Sequence, residues 1–288
     1  MATLENDFLK VEMSAKGAQL TSIYNKESKT EHLWQANANI WGYHAPNLFP
    51  VIGGLIKDEL LVGGKAYHMA RHGFARVSEF VLLEGDESNI AFSLPYSHDT
   101  LTVYPFKFDF QVLYSLIENA LRVTYKLVNL DDKTIYFSAG GHPAFNVPFY
   151  PGENFEDYYL EFEVEENLDR HLLSVKGYFS GETQHVPTPG KKLYLTKELF
   201  DQDALVFKDL KSRAVFLKSD KHNQSISVEF PHFNYLGLWS KGGGDFVCIE
   251  PWLGCADTEG KHVDISQKEQ IQSLRPGHVF EAAFYISI

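Results

Sequence analysis

The stretch FVCIEPWLGCAD, residues 246–257, reads as a strand with one charged side chain among large apolar ones. Side chains alternate across an extended chain, so Phe246, Cys248, Glu250 and Trp252 share one face while Val247, Ile249 and Pro251 take the other. Glu250 is then a lone carboxylate in a row of bulky groups. Burial of that kind raises a carboxyl pKa and nearby donors lower it, so the group can be tuned toward a general base. Pro251 has no N–H to give a ladder, so pairing is expected to weaken just after Glu250. That would leave the carboxylate at a strand end, facing a cleft. An ordinary salt-bridged acid fits the same residues, because structural ion pairs perturb acids too.

Outward from this stretch the chain repeats one pattern. Residues 7–24 read as a strand pair with a turn at Lys16-Gly17, and 59–69 as a hairpin turned by Gly63-Gly64. From 76 to 129, short apolar or aromatic alternations are separated by turn residues, and FKFDFQVLYSL (106–116) is the clearest half-buried strand. Helix signals are weak, and Thr196–Gln202 is the one candidate, with Thr196 as N-cap. Strands at regular short spacing predict an all-β sandwich or barrel of antiparallel sheets. No linker, low-complexity tract or fixed-period repeat divides the 288 residues, so one domain, 1–288, is expected.

Composition excludes several classes. The net charge of -12 and the lack of a basic cluster disfavour nucleic acid and anionic membranes as partners. No apolar run is long enough to span a bilayer, and MATLENDFLK lacks the pattern of a signal peptide. Cys248 and Cys255 are the only cysteines, too few for a disulfide framework or a zinc quartet, which fits a reducing cytoplasm. A monomer or weak homodimer is expected.

The polar groups suited to chemistry lie in two short motifs. His72, in RHGFAR (71–76), is flanked by Arg71 and Arg76, an arrangement suited to hydroxyls or an anion. A loop histidine bonded to backbone is the plainer alternative. In GGHPAFN (140–146), the glycines permit a sharp turn or close approach, and Pro143 keeps His142 out of helical space. A histidine so fixed can exchange a proton near neutrality, with Asn146 within reach; a core histidine bonded to a carbonyl is equally consistent. His68 and His72 are four apart but on a hairpin, so no metal core is expected, and no cofactor or nucleophile motif is present. Trp252, Phe49 and Trp239 could stack on a sugar face, although each reads equally well as core. Acid plus base without metal or cofactor suits proton transfer on a neutral, hydroxyl-rich substrate.

Taken together, NLFPVIGG (47–54), HGFAR (72–76), GGHPAFN (140–146), LFDQDALVF (199–207) and FVCIEPWLGCAD (246–257) resemble the aldose 1-epimerase (galactose mutarotase) family, and its LacX-like subgroup in particular. The motifs fall in family order across most of the chain. The resemblance implies a galactose-mutarotase-like supersandwich of antiparallel sheets with a cleft site, acting on a free hexose such as galactose or glucose. It matches Glu250 to the general base at the anomeric hydroxyl and His142 to the acid at the ring oxygen. It matches His72 to a second substrate-contacting histidine and Asp203 to a sugar-binding aspartate. One departure stands out: relatives carry a hydroxyl-binding arginine where this chain has Gly54, for which Lys57 or Arg76 could compensate. A hexose-6-phosphate 1-epimerase, with Arg76 serving phosphate, and a catalytically silent sugar-binding protein are the competing expectations.

Overall fold

The computed structural model describes residues 1–288, the side chain of Glu84 excepted. Two large antiparallel sheets dominate it. One has nine strands, in the order Lys192–Tyr194, Tyr158–Phe162, Ala214–Ser219, Ile226–Glu229, Val279–Ser287, Ala120–Asn129, Phe108–Ile117, Asn89–Pro95 and Val81–Gly85. The other has eight. Its path runs Phe179–Val186, Leu168–Leu173, Leu205–Phe207, Tyr235–Trp239, Phe246–Leu253, Ala139–Gly141 and Asn47–Leu48, with Ala144–Asn146 also pairing the Phe246–Leu253 strand. A four-stranded N-terminal sheet and two small two-stranded sheets complete the architecture.

The core lies where the two large sheets meet, and alternation puts it there. Phe108, Phe110, Val112 and Tyr114 are buried along one strand while the residues between them are partly exposed. Val247, Ile249, Leu236 and Leu238 of the eight-stranded sheet join the same apolar cluster. Phe49 stacks on Phe110 across the sheets at 4.3 Å between centroids. One polar bridge crosses this interior: the Tyr125 hydroxyl donates to Asn47 Oδ1 at 2.8 Å, and Asn47 Nδ2 donates to the carbonyls of Gly17 and Ala18. Burying so polar a side chain is tolerable because its amide is paired on both sides.

Several expected elements are present. The hairpin turned by Gly63-Gly64 pairs Glu59–Val62 with Lys65–His68, both glycines at positive φ. The N-terminal pair is Leu9–Met13 with Leu20–Asn25. The expected helical turn after Thr196 forms, but as a 3-10 turn, Lys197–Phe200, without a side-chain cap. The α-helix, His98–Val103, forms instead where Ser97 and Thr100 close a reciprocal capping box.

The central strand also differs from expectation. It runs unbroken from Phe246 to Leu253, so Glu250 sits inside a strand rather than at its end. Pairing with Tyr235–Trp239 continues through Pro251, which faces Leu236. The break is on the other flank only, where Ala139–Gly140 pairs with Trp252–Leu253 and Ala144–Asn146 with Phe246–Cys248. N–H groups two residues apart point to the same side of a strand. The Ile249 N–H goes to the Pro143 carbonyl on that flank, so the missing donor of Pro251 faces the same side. His142 leaves the ladder there.

Candidate active site

His142 and Glu250 meet at this break. The His142 Nε2 lies 3.3 Å from Glu250 Oε2, with Glu250 2% and His142 11% exposed in their side chains. The approach is close but poorly aligned for a hydrogen bond, so the oxygen has no full partner. Both groups open on a cavity of about 480 Å³, lined also by Trp41, Arg71, His72, Arg76, Asp203, Ala204, Trp239, Lys241 and Trp252. That volume suits a small-molecule ligand.

Aromatic groups form the walls. Trp41 stacks on His142 at 5.0 Å and on Phe246 at 5.5 Å, and its carbonyl accepts from the Trp34 indole at 2.9 Å. Trp239 meets His142 edge-on at 5.8 Å. Trp252 is wedged between two glycines: a Cβ on Gly140 would fall 2.7 Å from its ring, and one on Gly237 also 2.7 Å. Gly237 is the residue paired with Glu250. The lack of a side chain there leaves room for the indole.

His72 is held by backbone. Its φ is +68° and that of Gly73 is +72°. A Cβ on Gly73 would fall 2.2 Å from the Phe49 carbonyl oxygen, so only glycine fits. The His72 N–H donates to the Gly53 carbonyl, and the Gly53 N–H donates back to His72 Nδ1, both at 3.1 Å. Arg71 Nε lies 3.3 Å from Nε2. A neutral imidazole accepts at one nitrogen only. The Gly53 N–H at Nδ1 and the Arg71 Nε–H at Nε2 thus compete for the single acceptor nitrogen of the neutral ring. Burial holds His72 well below its ordinary pKa, and Arg71, His142 and Arg76 add to the effect.

Burial also dominates the central pair. It lowers His142 to about 3, with its own backbone opposing and Arg71 and Arg76 reinforcing. It raises Glu250 well above the ordinary carboxylate range, which Arg71 and the nearby Trp252 indole N–H offset in part and Asp203 augments. The pair therefore favours one shared proton and no net charge. Asp203, at φ +70°, accepts from the Ala204 N–H at 2.8 Å and faces Arg71 Nη1 at 3.6 Å. Both partners are substantially exposed, so that ion pair contributes little to stability.

Cys248 completes a grouping in which the ligand atoms of His142, Cys248 and Glu250 lie within 4.8 Å of one another. Burial raises the Cys248 thiol well above its ordinary range and the Glu250 charge raises it further. A thiolate would form there only if a cation supplied the compensating charge.

Of the residues singled out from sequence, Glu250, His142, His72, Asp203, Arg76, Trp239 and Trp252 line the cavity. Phe49 and Asn146 do not, and both assignments are corrected. Phe49 is fully buried between the sheets; its carbonyl accepts from the Phe74 and Ala75 N–H groups and so shapes the His72 loop. The Asn146 amide donates to the Glu31 and Leu33 carbonyls, tying down the N-terminal segment. Gly54 is also outside the cavity, since a Cβ there would strike the Lys176 and Gly177 carbonyls at 2.7 and 2.8 Å. Arg71 passes over Gly177 instead, with its Nη1 2.7 Å from where a Cβ would stand. Of the two residues expected to compensate, Arg76 lines the cavity and Lys57 does not. Arg71, named from sequence only as a neighbour of His72, lines it too, whereas Trp41 and Lys241 carry no sequence signal.

The family model for aldose 1-epimerase matches residues 1–283. The chain belongs to the aldose 1-epimerase family. It is 34% identical over 297 residues to the chromosomal LacX protein of Lactococcus lactis subsp. lactis, covering 99% of this chain and 98% of that one. A galactose mutarotase related enzyme from Lactobacillus acidophilus superposes with a TM-score of 0.94 at 37% identity, covering 99% of this chain and 96% of the other. A galactose mutarotase-like protein from Lactobacillus casei gives 0.93 at 32% identity, covering 100% and 99%. The antiparallel supersandwich of this family member is therefore the galactose-mutarotase-like fold. No helix among the described residues is long and apolar enough to cross a membrane.

Proposed function

We propose that the protein is an aldose 1-epimerase that interconverts the α and β anomers of a hexopyranose. The observation that carries this reading is the His142–Glu250 approach of 3.3 Å in a cavity walled by tryptophans. Mutarotation requires a proton to leave the C1 hydroxyl and another to reach the ring oxygen. Those two oxygens share one carbon, so the base and acid must stand as near each other as this pair does.

The pair's single proton closes the balance. With the proton on His142, the carboxylate of Glu250 takes the hydrogen of the anomeric hydroxyl while imidazolium Nε2–H protonates the ring oxygen. The bond from C1 to the ring oxygen breaks and the aldehyde forms. The pair is then a neutral imidazole beside a carboxylic acid, the form that burial favours. Rotation about C1–C2 presents the other carbonyl face, and the same transfers in reverse close the ring. Charge on sugar plus pair never changes, which is what a water-poor pocket tolerates best.

The other lining groups orient. His72 and Arg71 contact ring or hydroxyl oxygens, Asp203 accepts from hydroxyls, and Trp41, Trp239 and Trp252 offer faces to C–H surfaces. Polarimetry on freshly dissolved pure anomers tests the reading. Relaxation faster than buffer in proportion to protein concentration is expected. Sugar binding without acceleration would favour a silent sugar-binding protein and defeat the proposal.

A further inference from the structure

Cys248 is a group that mutarotation does not use. It is fully buried on the same face of its strand as Glu250, clustered with Ala144 and Phe246, and Trp41 and Trp239 pack against that cluster. An apolar side chain would fill the space as well as a thiol does. The polar atoms beside it are short of partners: His142 Nδ1 and Glu250 Oε2 are both buried without a full hydrogen bond. Among the described residues, His142, Cys248 and Glu250 are the one set of three histidine, cysteine or acidic donors whose ligand atoms gather, all within 4.8 Å of one another. Sequence spacing does not show this set, because strand pairing brings residue 142 beside 248 and 250. Ala144 faces Cys248, and the Pro143 carbonyl accepts from the Ile249 N–H.

We infer that His142, Cys248 and Glu250 form a binding site for a thiophilic divalent cation of the zinc class, and that filling it blocks proton exchange by the His142–Glu250 pair. The blocking rests on the mutarotase reading; the site does not. One nitrogen, one sulfur and one oxygen donor are a set that zinc accepts, whereas magnesium and calcium take oxygen. Nitrogen and oxygen ligands about 2.0 Å from a tetrahedral ion stand about 3.3 Å apart. His142 Nε2 and Glu250 Oε2 already have that separation, at 3.3 Å. The thiol, within 4.8 Å of donor atoms on both, closes the site with a side-chain shift of roughly 1 Å. His142 and Glu250 open on the cavity, so the ion has an entrance and a fourth position there for water. The charges balance. The thiol proton and the pair's shared proton leave to solvent, and the two negative charges they uncover match the cation's two positive ones. The buried site is neutral before and after, as its setting requires. With the ion on Nε2 and the carboxylate, neither group can exchange the proton that ring opening needs.

Cobalt(II) titrated into the intact protein, freed of metal by a chelator, tests this, because a cobalt–thiolate bond gives a near-ultraviolet charge-transfer band that nitrogen and oxygen ligands do not. One equivalent of cobalt is expected to raise the band, zinc to abolish it by displacement, and magnesium to do neither. Cys248→Ala should lose the band and bind zinc about a hundredfold more weakly in competition with a chelating dye. Cys255→Ala removes the other thiol and should keep both. If Cys248→Ala fails to fold, a band in the Cys255→Ala protein still identifies the thiolate, since Cys248 is then the only cysteine left. Anomer exchange on glucose and galactose, followed by NMR with and without zinc, should slow about tenfold or more in the wild type and far less in Cys248→Ala. Cobalt binding without the band, or a band that survives in Cys248→Ala, would overturn the site. A band with exchange undiminished by zinc would overturn the blocking. No exchange by the metal-free protein would sink the mutarotase reading and the blocking with it, and the band alone would then decide the site.

Discussion

Burial, more than any charged neighbour, sets the protonation of Glu250 and His142, on which the proposed proton transfer rests. Because the active pair holds one proton, its working range is bounded below by the second protonation, at about 3 for His142, and above by loss of the last proton from the raised Glu250. The kcat/KM profile should therefore stay flat through pH 6.5, where an ordinary imidazole titrates, and decline on the alkaline side. A loss of rate centred near 6.5 would contradict the shared-proton account. Phe49 supports a second prediction at this scale. Phe49→Leu should lower stability by about 1–2 kcal/mol, seen in denaturant unfolding, without changing the KM of the folded protein. A raised KM with unchanged stability would restore Phe49 to the binding surface. From sequence, Phe49 was as good a stacking candidate as Trp252, because an aromatic residue beside a motif does not reveal which side of its sheet it faces.

At the level of elements, the alternation in 246–253 was readable and holds. Val247 and Ile249 enter the core between the sheets, while Phe246, Cys248 and Trp252 pack in separate clusters on the other face with Glu250 among them. The consequence of Pro251 was misread because a strand has two flanks and a proline silences one. Which flank it silences depends on register, and register is set by strands over a hundred residues away. Glycines are the other element-scale determinant. Gly237→Ala would place a methyl 2.7 Å from the Trp252 indole, forcing the ring from its place beside Glu250. The expected outcome is a raised KM for sugar together with a stability loss of about 1–3 kcal/mol. Unchanged kinetics would show that the indole's position is immaterial to the site.

The whole molecule assembles its site from distant segments: residues 41, 71–76, 142, 203, 239–241 and 250–252 converge only when the eight-stranded sheet forms. Sequence motifs marked four of these segments. Trp41 and Lys241 were invisible because a loop tryptophan and a turn lysine acquire meaning only from what the fold places opposite them. Global stability carries its own signature of buried histidines. His32 is fully buried, has no hydrogen-bond partner on either ring nitrogen, and is lowered by burial to about 4. A histidine whose folded pKa is depressed contributes stability above its unfolded pKa of 6.5 and loses it as pH falls toward the folded value. His32 alone then accounts for about 3 kcal/mol of acid sensitivity between pH 6.5 and 4. His32→Phe should flatten the fall of Tm with pH across that interval; an unaltered slope would assign acid lability elsewhere.

The most direct test of the central claim compares wild type with Glu250→Gln, following anomer exchange by NMR and sugar binding by calorimetry on the same preparations. Glutamine keeps the shape and removes the proton acceptor. The account predicts binding within a few-fold of wild type and exchange slowed by about a thousandfold or more. Exchange at the wild-type rate in that variant would contradict it.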